Sequence, residues 1–220
     1  MCYNLIIFKK IIFLFCFFIN ICLCDQKIIM INPAGHAKET GRKLTRGFER
    51  GETYKCAQQI AHMLQERYCV KAILTRELGE ELVHLQSASF ANRLNTFCFL
   101  SVHIYKEITE KPKIYFYHLV YDPVGDFATR NYNPQSFVPV AHAHLINISL
   151  TREWAKKIKE NLSAGENQTQ FDFYGVYGIP VKPLVGVIAP AFLCEIGLSE
   201  DNKWESLLDS IVNSLSFLRG

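Results

Sequence analysis

Short apolar runs alternate along this chain with stretches whose apolar residues return every three or four positions. KIIMI at 27–31 reads as a strand. From 52 to 68, Tyr54, Ala57, Ile60, Ala61, Leu64 and Tyr68 keep a helical step and predict a helix with one buried stripe. VKAILT at 70–75 reads as the next strand, HLQSASFANRL at 84–94 as a helix, FCFLSVHIY at 97–105 as a third strand and IYFYHLVY at 114–121 as a fourth. Residues 122–147 hold several Pro and Asn without a period and read as an insertion. Trp154, Ile158 and Leu162 place another helix over 149–162, and the Gly- and Pro-containing stretch 163–183 reads as loop. PAFLCEIG at 190–197 is a fifth strand, and 204–218 a closing helix. No internal repeat is present. The alternation predicts an α/β fold: a single domain with a mostly parallel twisted sheet and helices on both faces, phosphorylase/hydrolase-like.

Composition changes this picture at one end only. The 220 residues suffice for one sizeable core and hardly for two domains. The net charge of +3 is spread among both signs, with no basic block of the kind a nucleic-acid binder needs; a mild basic bias suits an anionic polymer. The start differs: MCYNLIIFKK carries two lysines, and IIFLFCFFINICLC follows without a charge. Residues 1–24 read as a secretory signal peptide or, uncleaved, as an anchor attaching the chain to a membrane. Residues 25–220 then form the functional domain, exported to the cell envelope or periplasm. Cys22 and Cys24 give only a poor lipoprotein box, because Leu23 precedes the second. Beyond this segment Cys56, Cys69, Cys98 and Cys194 match no C-x-x-C motif. Cys98 and Cys194 sit inside apolar runs and read as buried thiols, although an exported chain allows a disulfide.

Ligands of such sheets bind beyond the carboxyl ends of the strands. Four polar residues fall there: His36 after the first strand, Glu52 at the opening of the first helix, His103 at the end of FCFLSVH and Glu195 at the end of AFLCE. A histidine at a strand end is more often a satisfied polar residue than a ligand, and Glu52 could serve only the first turn of its helix. Glu195 is harder to dismiss, since burying a lone carboxylate is costly. Together, two histidines and a carboxylate make a three-ligand zinc set that leaves a position for water, and a further carboxylate can move that water's proton.

The ordered motifs also resemble a known family, the zinc-dependent N-acetylmuramoyl-L-alanine amidases of the cell-wall amidase-3 type, over most of 27–218. Its D-P-G-H-G-G turn is similar to NPAGHA here, and its helix-opening glutamate to that of GETYKCAQQIAHML. Its T-R strand end corresponds to AILTR, its A-N helix to FANRL, its S-I-H-A-N strand to SVHIY and its P-A-V-L-V-E-x-G-F to PAFLCEIGL. The resemblance implies one Zn2+ per chain, held by His36, Glu52 and His103, with Glu195 as general base and acid. It implies hydrolysis of the amide between N-acetylmuramic acid and L-alanine in peptidoglycan, releasing stem peptides. Glu49, three residues before Glu52, competes for the carboxylate position; Glu52 is favoured because the helical pattern follows it directly.

The chain departs from the pattern at Ala37 and Lys38, where glycines are expected, at Tyr105, where an Asn is expected, and at QSASF, which lacks an arginine. Two other readings therefore stand beside the amidase: another zinc amidohydrolase or carboxypeptidase acting on a small acyl amino acid or peptide, and a wall-binding module without activity. With no room for a separate wall-binding domain, attachment is expected from the catalytic domain, a retained anchor or a regulatory partner protein. His142 and His144 in AHAHL are a weaker metal pair, with a surface role favoured. His62 and His84 have no obvious partners. Asn147-Ile-Ser149 and Asn167-Gln-Thr169 match the short glycosylation triplet. No nucleophile elbow, phosphate loop or dinucleotide fingerprint is present.

Overall fold

The computed structural model describes residues 27–45, 47–83, 85–120, 138–164, 170–199 and 203–219. Residues 1–24, His84, Asn167 and most of the predicted insertion lie outside them.

Apolar β-formers build the central strands: β1 (Ile28–Pro33), β4 (Lys71–Leu74), β5 (Cys98–Lys106), β6 (Lys113–Leu119), β7 (Asp172–Ile179) and β8 (Ala191–Leu198). They form one six-stranded sheet in the order β4-β1-β5-β8-β6-β7. All pairings are parallel except β6 with β8. A two-residue ladder, β2 (Lys43–Leu44) with β3 (Gly47–Phe48), precedes the first helix.

Successive strand residues point to opposite faces, and each face has its own core. Cys98, Leu100, Val102 and Ile104 of β5 pack with α1 (Glu49–Tyr68), α3 (Ile148–Ser163) and α4 (Leu208–Ser214). Phe99 joins Met30, Ala191 and Leu193 on the other face, under Ala88 and Ala91 of α2 (Gln86–Arg93). The chain is thus a single α/β domain with helices on both faces, as the alternation predicts.

Three elements differ from the expected pattern. Helix α1 starts three residues early, at Glu49, and no side chain caps it. Backbone carbonyls do so instead: Arg42 O accepts from Glu49 N at 2.8 Å and Thr40 O from Arg50 N at 3.1 Å, contacts that a local sequence signature cannot reveal. The expected loop 163–183 contains β7, an edge strand whose glycines hide it; the pairing with β6 shifts register between Ile114 and Tyr115, and Gly175 there has φ +130°. The closing helix is broken into a 3₁₀ turn (Trp204–Leu207), α4 and a second 3₁₀ turn (Ser216–Leu218). The described end of the insertion is a 3₁₀ helix, Val140–Asn147, in which His142 and His144 are buried, not on the surface. Cys56, Cys98 and Cys194 are buried free thiols, and Cys69 is exposed.

Candidate active site

Strand β1 ends at Pro33, opposite Val102. The chain then turns away at Gly35, whose φ of 73° suits glycine; a Cβ there would stand 2.7 Å from Arg50 Cβ and 2.9 Å from Glu39 O. Buried groups fix this turn from beneath. Ala34 O accepts from Thr53 Oγ1 at 2.8 Å and from Arg76 Nη2 at 3.2 Å, and Arg76 also donates to Arg50 O at 3.0 Å. His36, next in line, reaches an open cleft of about 290 Å³ that His103 also lines.

Because β1 stops there, the last amides of β5 lack a strand on that side. Glu49 fills the gap. Its buried carboxylate accepts from Ile104 N at 3.3 Å and from Arg42 N at 3.0 Å, and its Oε1 lies 3.3 Å from His103 Nδ1. Burial works to raise the Glu49 pKa, but the bonds from His103 and the Arg42 amide outweigh it and hold the carboxyl below its usual range. Gly41, at φ 73°, makes room: a Cβ there would meet Glu49 Oε2 at 2.8 Å.

Glu52 lies elsewhere. Its Oε2 accepts from Trp204 Nε1 at 2.9 Å, and its Oε1 pairs with Lys55 Nζ at 3.1 Å. Three residues along a helix amount to nearly one turn and about 4.5 Å of rise, enough to carry it from His103 to a pocket lined by Tyr105, Leu198 and Trp204. The structure therefore brings Glu49, not Glu52, to His103. The earlier start of α1 explains the difference.

The other imidazole nitrogen of His103, Nε2, is 3.2 Å from Ser101 Oγ. Ser101 in turn receives a bond from Asn32 Nδ2 at 3.0 Å, and Asn32 Oδ1 accepts from Thr75 at 2.8 Å and Ser87 at 3.3 Å. This chain of bonds fixes the ring so that Nδ1 faces Glu49. His36 is less tightly set, with Nε2 3.6 Å from Glu39 Oε2 and Nδ1 accepting from Lys38 N at 3.3 Å.

Glu195 stands beside His103 in register on the neighbouring strand β8. Its Oε1 pairs with Arg42 Nη1 at 2.7 Å, and its Oε2 accepts from Tyr117 Oη at 3.3 Å. Burial, then the charge and bond of Glu195, push the Tyr117 phenol up to about 12, so it remains a donor. Arg42 thus serves both acids, Glu49 through its amide and Glu195 through its guanidinium. Asn32, Arg42, Ser101 and Tyr117 are not among the residues that sequence singles out; Asn32 and Ser101 had a visible signal as polar residues inside otherwise apolar strands.

Two of these side chains have the spacing of neighbouring ligands on one divalent ion. Two ligands about 2.0–2.1 Å from a tetrahedral ion stand roughly 3.3 Å apart, which is the separation of Glu49 Oε1 and His103 Nδ1. His36 lines the same cleft, but among the described residues no three His, Cys, Asp or Glu side chains are gathered closely enough to grip an ion.

Several solved structures share this fold. The catalytic domain of CwlV, an N-acetylmuramoyl-L-alanine amidase from Bacillus (Paenibacillus) polymyxa var. colistinus, is similar with a TM-score of 0.59 and 16% identity, over 87% of this chain and 97% of that one. The fold is that of the amidases. AmiC2 of Nostoc punctiforme, also an N-acetylmuramoyl-L-alanine amidase, gives 0.57 and 15% over 87% and 97%. The CwlD amidase of Clostridioides difficile, solved in complex with the GerS lipoprotein, gives 0.53 and 14% over 87% and 93%. At such identities the shared property is the fold. No protein-family model matches the sequence, and no curated protein is similar to it.

Proposed function

We propose that this chain is a zinc-dependent N-acetylmuramoyl-L-alanine amidase of the cell envelope, cutting the amide between N-acetylmuramic acid and L-alanine in peptidoglycan. The observation that carries the reading is the meeting of Glu49, His103 and Glu195 at the carboxyl ends of strands in an amidase fold. Glu49 and His103, with His36 across the cleft, would hold the metal; Glu49 takes the place first expected for Glu52. When bound, zinc would supply Lewis-acid polarisation of the carbonyl and a more acidic water.

The chain's own residues supply the proton chemistry. Glu195 takes the proton of the attacking water as the carbon–oxygen bond forms. It returns that proton to the L-alanine nitrogen as the carbon–nitrogen bond breaks, leaving a muramoyl carboxylate and a free amine. Arg42 and Tyr117 keep one carboxylate oxygen each in a fixed direction. Export through residues 1–24 fits the substrate's location, and the lipoprotein complex of CwlD supports a partner protein as a means of control.

The test is to incubate the chain from Asp25 onward with purified peptidoglycan, with and without a chelator, and to identify the soluble products by mass spectrometry. Stem peptides with a free L-alanine amino terminus, lost with chelator and restored by zinc, are expected. A folded, zinc-loaded chain that releases none would move the assignment to another amide substrate or to a module that only binds.

A further inference from the structure

Strands β6 and β7 carry four tyrosines on the face that holds Glu195. Tyr115 and Tyr117, two residues apart, stack with centroids 6.1 Å apart and 4° between planes. Tyr174 stacks on Tyr115 at 4.8 Å and 19°, and Tyr177 leans on Tyr117 at 6.2 Å. Tyr177 Oη donates to Tyr174 O at 2.5 Å, which fixes the outer pair. The inner end of the row touches the site, where Tyr117 donates to Glu195.

Core packing explains the half-buried Tyr115 and Tyr117. It does not explain Tyr174 and Tyr177, which sit on the edge strand 46% and 44% exposed. Tyrosine presents a rigid apolar face and a polar rim at small entropic cost, which favours it on binding surfaces. A pyranose ring has the complementary form, with C–H bonds on its faces and hydroxyls around its edge. The charges needed for a carboxylate-bearing peptide lie instead on the 36–42 segment, with Lys38, Glu39 and Arg42; at the outer end of the row, among the described residues, Lys113 approaches to 5.2 Å from the Tyr174 centroid and is itself paired with Glu107 at 3.4 Å.

We propose that the exposed Tyr174 and Tyr177, backed by Tyr115 and Tyr117, form a stacking platform for the sugar rings of a glycan strand, at the β7 edge of the face that holds Glu195. The inference rests on the amidase reading and orients its substrate: glycan over β6 and β7, stem peptide toward the 36–42 segment.

The test uses glycan strands stripped of their stem peptides, titrated into the chain by calorimetry. The paired change Tyr174→Ala and Tyr177→Ala should weaken binding about tenfold or more, the scale known for bases stacked on aromatic side chains. Tyr174→Phe, which keeps the ring and the Tyr177 hydroxyl bond to the Tyr174 carbonyl, should stay near wild type, because the ring does the work. The proposal is overturned if the alanine variant, folded by circular dichroism, binds stripped glycan like wild type, or if wild type binds only isolated stem peptide. A chain that binds stripped glycan through these rings yet releases no stem peptide from intact peptidoglycan would sink the amidase reading and uphold the platform.

Discussion

On one face of the sheet, Cys98, Leu100, Val102 and Ile104 of β5 are apolar and sealed by helices α1, α3 and α4, up to the exposed Lys106 at the strand's end. On the other, the same strand passes from Phe99 through Ser101 to His103 and Tyr105, and β8 passes from Leu193 to Glu195. The two faces share a backbone, so one strand supplies stability on one side and chemistry on the other. β5 turns polar at Ser101, opposite Leu193, and both strands carry a titratable residue at the next level, where His103 pairs with Glu195. A polar residue at that level meets a cleft on one face; on the other it would meet only hydrocarbon.

Substitutions on the two faces should therefore separate activity from stability. The largest effect is expected for Glu195→Gln, which removes the proton carrier and should cost about 10²–10⁴-fold in turnover, with an unchanged melting curve. On the opposite face, Leu100→Ala should cost about 2–5 kcal/mol in urea unfolding, while activity per folded molecule is kept. A loss of specific activity comparable to that of Glu195→Gln would break the division.

A sharper comparison lies within one helix. Glu49→Ala should abolish tight zinc binding in calorimetry and cost about 1–3 kcal/mol for the buried amide of Ile104 that it leaves unpaired. Glu52→Ala should cost about 1 kcal/mol through its bond to Trp204 and leave zinc affinity intact. The reverse outcome would restore Glu52 as the ligand. Smallest of all is Cys69→Gly, at the C-terminal end of α1, where φ is 55°; relief of the left-handed backbone should add about 0.5–1 kcal/mol in thermal unfolding.

Much of this was legible in the sequence because it depends on local periodicity. Apolar runs and three- and four-residue steps place β1, α1, β5, α3 and β8, and a titratable residue at the end of an apolar strand marks His103 and Glu195. What was hidden depends on partners distant in sequence. Helix α1 begins at Glu49 because the carbonyls of Thr40 and Arg42 cap it, and no pattern within 49–52 announces that. Strand β7 is held by pairing with β6 along a single edge, so its glycines outweigh its aromatic residues in any local reading. Arg42 joins Glu195 across 153 positions, a contact that only the folded chain defines.

Residues 34–45 and 47–48 are tied down by scattered hydrogen bonds and the two-residue ladder of β2 and β3, and the residues of that ladder are exposed or only partly covered. Regions with few buried apolar contacts open at a lower free energy than the core beneath them. Warming should therefore free Arg42, and with it the shared hold on Glu49 and Glu195, while the six-stranded sheet still stands. The site should then come apart at a temperature set by this loop, below the one at which the sheet unfolds.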